Sequence, residues 1–283
     1  SFHSDVYAQV TAGAVVGHNW AVIIDTLATA EESLDIRDFI EGELNVPVRY
    51  IINTHYHADH TWGNCFFPAA TVIAHTLCRK WLQERGIHAL QEARKANSAL
   101  RQVKIVLPHL TFEESSVNLR VGKKTLTLLS LPGHSADNLG VLVEEDRILF
   151  AGDVFMPMPY IVDGDIDEMI SSLKRIGKMG LENVVQGHGD IVLRGEIDAA
   201  IKENLTYLSN IRRVVRKASR RKYPFETLDE IDVESCGKSR VLIGGLSGEL
   251  HRRNLRALYR KLYGEPPIPT DDEEEDYYDE EEE

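Results

Sequence analysis

Residues 55–60 read His55-Tyr56-His57-Ala58-Asp59-His60, three imidazoles and one carboxylate within six positions. They follow the apolar run Val48-Arg49-Tyr50-Ile51-Ile52-Asn53, which has the composition of a buried strand. Four such polar groups at the end of a buried strand need partners, because each one left unpaired costs about 1–3 kcal/mol. A shared cation satisfies all four at once. Imidazole nitrogen with carboxylate oxygen suits Zn(II), with Fe(II) and Mn(II) as alternatives. A polar surface loop is the competing reading, and the rest of the chain has to decide between them.

The composition narrows the class. At 283 residues the chain has room for one large domain or two modest ones. No apolar run approaches the ~20 residues that span a bilayer, so no membrane partner is expected. The first residue is Ser1 rather than Met, which leaves open a removed amino-terminal segment, a signal peptide included. The net charge of −13 is concentrated at one end: residues 271–283 hold 11 acidic residues and no basic one. The remaining 270 residues carry 34 acidic against 32 basic side chains, so the body presents no strong field for nucleic acid. A run of like charge repels itself, and 271–283 is read as a disordered acidic tail. Cys65, Cys78 and Cys236 lack CxxC spacing and make no disulfide framework, so a reducing, cytoplasmic setting is the default.

In the amino-terminal half strand and helix alternate. Segments 5–10 and 14–25 read as strands, 31–44 as a helix stopped by Pro47, and 70–74 as a short buried strand. Segment 77–100 is helical with a break at Gly86. Short strands then crowd together at 117–121, 124–130, 139–144 and 147–151, with another at 183–186. Helices are expected over 167–179, 195–222 and 247–263. Hairpin-like strands in the middle argue against a simple doubly wound sheet, and favour a layered α/β (α+β) fold with mixed sheets and a helical carboxy-terminal addition.

Three further segments offer ligands, each at the end of a predicted strand beside glycine: Pro132-Gly133-His134, Gly152-Asp153 and Gly187-His188-Gly189. Glycine allows the sharp turn and close approach that a loop feeding a shared cleft requires. Alone, each reads as a turn residue. Together with the first cluster they make five histidines and two aspartates, about what two bridged zinc ions need while a position stays open for chemistry. Of the other histidines only His18, in a loop with Asn19 and Trp20, is placed to overhang such a site. Asp25, ending a strand, is read either as a partner orienting a ligand imidazole or as a plain turn residue.

In this order, His55-x-His57-x-Asp59-His60, His134, Asp153 and His188 resemble the metallo-β-lactamase fold superfamily, from the first strands to about residue 215. The resemblance implies a four-layer αββα sandwich of two mixed β-sheets flanked by helices, with metals at one edge. It also implies that His55, His57 and His134 hold one Zn(II), that Asp59, His60 and His188 hold a second, and that Asp153 bridges them. On that basis residues 1–222 form the catalytic domain and 223–270 a helical extension packed on it. β-Lactamases proper generally lack the bridging aspartate, whereas glyoxalase II-type thioesterases, lactonases and phosphodiesterases have it.

The implied activity is dinuclear zinc hydrolysis of an ester, lactone or thioester by a metal-bridging hydroxide. Asp59 is the candidate proton shuttle, and Tyr160 or Tyr56 the candidate donor to the oxyanion. Trp62, Phe66 and Phe67, with the stretch 155–160, make an apolar mouth for a small-molecule substrate, where a phosphate would want Arg or Lys. Basic helices late in the chain (Arg212 to Lys222, Arg252 to Lys261) serve an anionic carrier, nucleic acid, or simply the solvent and the acidic tail. A phosphodiesterase on the same centre, a mononuclear iron enzyme of the persulfide dioxygenase type and a non-catalytic binding module are the competing functions. A homo-oligomer stays open.

Overall fold

Alternation along two strands sets up the layers. In β3 (Ala21–Ile24) and β4 (Val48–Ile52), Val22, Ile24 and Ile52 pack against Leu126, Leu128, Val141 and Phe150 of a second sheet. Ile23 and Ile51, pointing the other way, meet Ile36 and Ile40 beneath a helix. With a side-chain period of two, a strand apolar on both faces must be covered on both. The computed structural model, which describes residues 1–4, 8–113 and 116–266, does this with two six-stranded sheets face to face.

The first sheet runs β1 (Phe2–His3), β2 (Thr11–Val16), β3, β4, β5 (Thr71–His75) and β6 (Leu110–Phe112). Its first three strands pair antiparallel and the rest are parallel. The second is an antiparallel meander of β7 (Val117–Val121), β8 (Lys124–Ser130), β9 (Leu139–Val143) and β10 (Ile148–Gly152). It ends in β11 (Asn183–Gln186), parallel to β10, and the edge strand β12 (Val192–Leu193). On the outside of the first sheet lies α1 (Ala30–Arg37), opened by a capping box between Thr29 and Glu32. α2 (Ala58–Thr61), α3 (Thr76–Trp81) and α4 (Ile87–Ala96) follow in the chain. α5 (Ile166–Ile176), α6 (Ile197–Ala218), α7 (Pro224–Asp229) and α8 (Ser247–Tyr263) share one apolar cluster with Leu149 and Val184 of the second sheet. The result is the four-layer αββα sandwich, and Cys65, Cys78 and Cys236 are free thiols within it.

Several expectations about elements change. The single strand over 14–25 is a hairpin of β2 and β3, turned where Gly17 N donates to Trp20 O at 3.0 Å. That turn removes His18 from the site. β2 starts beside His188 through the Val10–His188 bridge, and a strand of its length carries residue 18 roughly 20 Å away. The helices expected over 31–44 and 77–100 each pass into wider π-type winding, at Asp38–Glu43 and Leu82–Gly86. β6, β12 and α7 are too short for periodicity to mark. Residues 5–7 of the first expected strand, and the whole tail 271–283, lie outside the described residues.

Candidate metal centre

Four loops leave the carboxyl ends of β4, β8, β10 and β11 and meet at one edge of the sandwich, as in open α/β sheets. Leu139 N donates to Thr54 O at 2.7 Å and ties the two sheets together at the first of these loops. Asn53, fully buried, then donates to His60 O (3.0 Å) and exchanges amide bonds with Asn64, which fixes the tight turn of α2. Gly152 adopts a left-handed φ of 58° just before Asp153. Gly187 lies so close that a Cβ there would stand 1.8 Å from Asp153 Oδ1. Only glycine fits between β11 and that carboxylate.

The seven residues come together in two groups, His55–His57–His134–Asp153 and Asp59–His60–His188, each with ligand atoms within 4.8 Å of one another. Asp153 faces both. Its Oδ1 lies 3.2 Å from His60 Nε2, and its Oδ2 lies 3.3 Å from His188 Nε2, 3.4 Å from His134 Nε2 and 3.8 Å from His55 Nε2. Asp59 Oδ2 is 3.4 Å from His188 Nε2.

Each imidazole has its outer nitrogen committed to a protein partner. His134 Nδ1 donates to Tyr160 O and His188 Nδ1 to Ala8 O, both at 2.8 Å. His60 Nδ1 donates to Asp25 (2.8 Å) and His57 Nε2 to Asp163 (3.1 Å). Thr54 gives its single hydroxyl hydrogen to Asp25 Oδ2 at 2.7 Å, so at 3.1 Å its oxygen must accept from His55 Nδ1. These outer partners fix the orientation of all five rings and turn five inner nitrogens toward one another. Two of them, His57 Nδ1 and His134 Nε2, face each other at 2.9 Å. Bare lone pairs that close repel unless a cation lies against both. His55 Nε2 is moreover buried without any hydrogen-bond partner. The donor set fits metal ions.

The electrostatics agree. Burial holds His134 down to about 4 and His55 well below the ordinary histidine range, so both are neutral donors. Burial opposes charge on His60 too, but Asp153, Asp25 and Asp59 outweigh it and raise that imidazole well above its usual value. For His188, burial is likewise outweighed by Asp153 and Asp59. Asp153 is held well below the carboxylate range, since His188, His60, His134 and His55 overcome its burial. A field that draws protons onto two imidazoles stabilises any positive charge placed there.

Of the residues flagged in the sequence, Asp25 turns out to touch a cluster imidazole directly. Burial raises its carboxyl pKa, countered by His60 and by bonds from Thr54. Asp163 went unnoticed. It accepts from His57 and from Tyr56 OH (2.7 Å), yet nothing in the spacing of Val162-Asp163-Gly164 marks it. Asp137, buried and pushed up to about 6 by that burial against bonds from Ser135 and the backbone, was equally silent. Above the cluster opens a pocket of about 610 Å³, walled by Trp62, Met156, Tyr160, Leu250 and two cations, Arg85 and Arg253. Arg85 was missed in sequence because it stands alone on a helix edge. It stacks over Trp81 and Tyr56 at 5.3 and 5.9 Å.

An αββα sandwich with an imidazole–carboxylate cluster where its strands end defines a class of fold. The model of the metallo-beta-lactamase superfamily matches residues 7–188, and the chain belongs to that superfamily. It is similar to a beta-lactamase-like protein 2 homolog of Caenorhabditis elegans, 23% identical over 60% of this chain and 52% of that protein. It is also similar to the thioesterase pkgB of Emericella nidulans, 26% identical over 61% of this chain and 43% of that one. The chain thus spans about half the length of these relatives. A metallo-beta-lactamase family protein from Thermus thermophilus has the same fold, with a TM-score of 0.64 at 17% identity over 90% of this chain and 91% of that one. Among the described residues no helix is long and apolar enough to cross a membrane.

Proposed function

We propose that this chain is a dinuclear zinc hydrolase of small esters, lactones or thioesters. The observation that carries the reading is the convergence of four imidazole nitrogens on Asp153, with His57 beside them, at the floor of a pocket. Two Zn(II) ions held there, one by His55, His57 and His134 and one by Asp59, His60 and His188, would supply an activated water and polarise the scissile carbonyl. The protein's own groups do the rest. Asp59 lines the pocket and is placed to take a proton and hand it to the leaving group. Tyr56 gives its hydroxyl hydrogen to Asp163, which leaves the pocket-lining Tyr160 as the phenol for the oxyanion. Trp62, Met156 and Leu250 exclude water around an acyl group. Residues 1–222 serve in this proposal as the catalytic unit and 223–270 as the extension, whose Ile243, Leu246, Leu250 and Arg253 close one pocket wall. Three of the late basic residues pair internally, Arg212 with Asp167, Lys261 with Asp165 and Arg256 with Asp229.

Arg85 and Arg253 in the wall favour a second reading, a phosphodiesterase on the same centre. Turnover of p-nitrophenyl acetate, a homoserine lactone, S-lactoylglutathione and bis-p-nitrophenyl phosphate separates the two. Activity confined to the phosphodiester would overturn the first. One iron per chain in the purified protein would turn both toward a persulfide dioxygenase-type enzyme.

Arg253 already pairs with Glu249, so Arg85 is the freer cation. With anionic substrates Arg85→Ala is expected to raise KM about tenfold with kcat nearly unchanged, the loss of one charged hydrogen bond. Neutral p-nitrophenyl acetate should not respond. An equal loss on both substrates would remove Arg85 from substrate recognition.

Acid should release the metals in order. Protons compete for the same lone pairs, and His60 and His188 hold them more tightly than His55 and His134. As the pH falls, the equivalent bound by Asp59, His60 and His188 is expected to leave first. Metal content against pH, with His60→Ala marking that equivalent, reads the order; loss of the other one first contradicts the assignment.

A further inference from the structure

We infer that Asn254, on α8, is a positioning residue for the ligand histidine His134. This rests on the proposal that the cluster holds two metals, and deepens it. Asn254 is fully buried, and its amide has no freedom left. Its Oδ1 accepts from Ile161 N at 2.9 Å, and its Nδ2 donates to Pro159 O at 2.7 Å and to Tyr207 OH at 3.1 Å. Tyr207 in turn donates to His251 Nδ1 at 3.0 Å, so the clamp is anchored between α6 and α8.

What the clamp grips is the peptide that orients the ligand. Tyr160 C=O and Ile161 N–H belong to one planar trans amide and point in opposite directions. Holding Ile161 N–H on Asn254 therefore aims Tyr160 O at His134 Nδ1, 2.8 Å away. That bond sets the imidazole's tautomer and turns Nε2 toward Asp153 and His57. Release of the amide plane lets Tyr160 O swing away, and His134 then loses both its rotation and its fixed proton. A helix more than ninety residues downstream thus presets the metal centre.

Asn254→Leu keeps the volume and removes all three bonds. Zn(II) titration of the metal-free variant against a chromophoric chelator should show one of two binding steps weakened by about tenfold, the size typical of losing a ligand's outer partner. It should be the step that His134→Ala abolishes, with the other step within about twofold. A merely structural role would lower the melting temperature and weaken both steps alike, and that result overturns the inference. So does an unchanged pair of affinities. If Asn254→Leu does not fold, the wild type decides. By linkage, Zn(II) must protect the Ile161 amide from hydrogen exchange by about the same tenfold, and equal protection with and without metal overturns the inference. A wild type that binds fewer than two ions fails the functional reading instead, before any variant is compared.

Discussion

Asp153→Ala is expected to lose turnover by about a thousandfold, equivalent to ~4 kcal/mol of transition-state stabilisation. Asp153 is the only carboxylate within 3.8 Å of imidazoles from both groups, among the described residues. Its removal leaves two cations to be held by five neutral rings and Asp59, so at least one ion should bind more weakly. The strands around it are apolar and independent of it, which is why the fold should survive. Turnover and metal content, measured with circular dichroism as the check on folding, test this. Wild-type turnover in a folded variant would mean that the carboxylate joins nothing.

The second large effect is expected at a residue that binds no metal itself. Asp25 takes Thr54 N and Thr54 Oγ1, each at 2.7 Å, and His60 Nδ1 at 2.8 Å, all buried. Asp25→Ala leaves three donors without an acceptor and should weaken metal binding by about 10–100-fold. Alanine also suits the left-handed backbone there, with φ at 58°, poorly, by about 1–2 kcal/mol. Asp25→Asn separates the two causes: asparagine tolerates that backbone and still accepts one bond, but cannot serve all three donors. It should recover stability without recovering affinity. Full affinity in either variant would show that the metals fix His60 unaided. Chelator competition, read beside thermal melts of the metal-free protein, makes the distinction.

The cluster at 55–60 was legible because its residues are adjacent, and adjacency after a strand needs no tertiary knowledge. His134, Asp153 and His188 were legible for a different reason. Each stands beside glycine at a strand end, and the structure requires those glycines, Gly187 most of all for its contact with Asp153. Asp163, Arg85 and Asn254 carried no such mark. Asp163 sits in an ordinary turn, Arg85 on a helix edge, and Asn254 in a helix where its spacing resembles any core position. His18 shows the opposite error: its loop with Asn19 and Trp20 exists, but the β2–β3 hairpin carries that loop to the end away from the cluster.

By itself the order of residues determined the layered architecture and the seven inward-facing donors, because strand periodicity and turn chemistry act over a few neighbouring positions. Which partner holds each donor from behind was decided only by folding. Thr54 is the neighbour of His55, but the other partners, Tyr160 O, Ala8 O, Asp25 and Asp163, are backbone atoms or single side chains brought in from distant segments. A carbonyl is present at every position of a chain, so no residue type announces the one that will aim an imidazole. Close packing of the two sheets and the carboxy-terminal helices selects it.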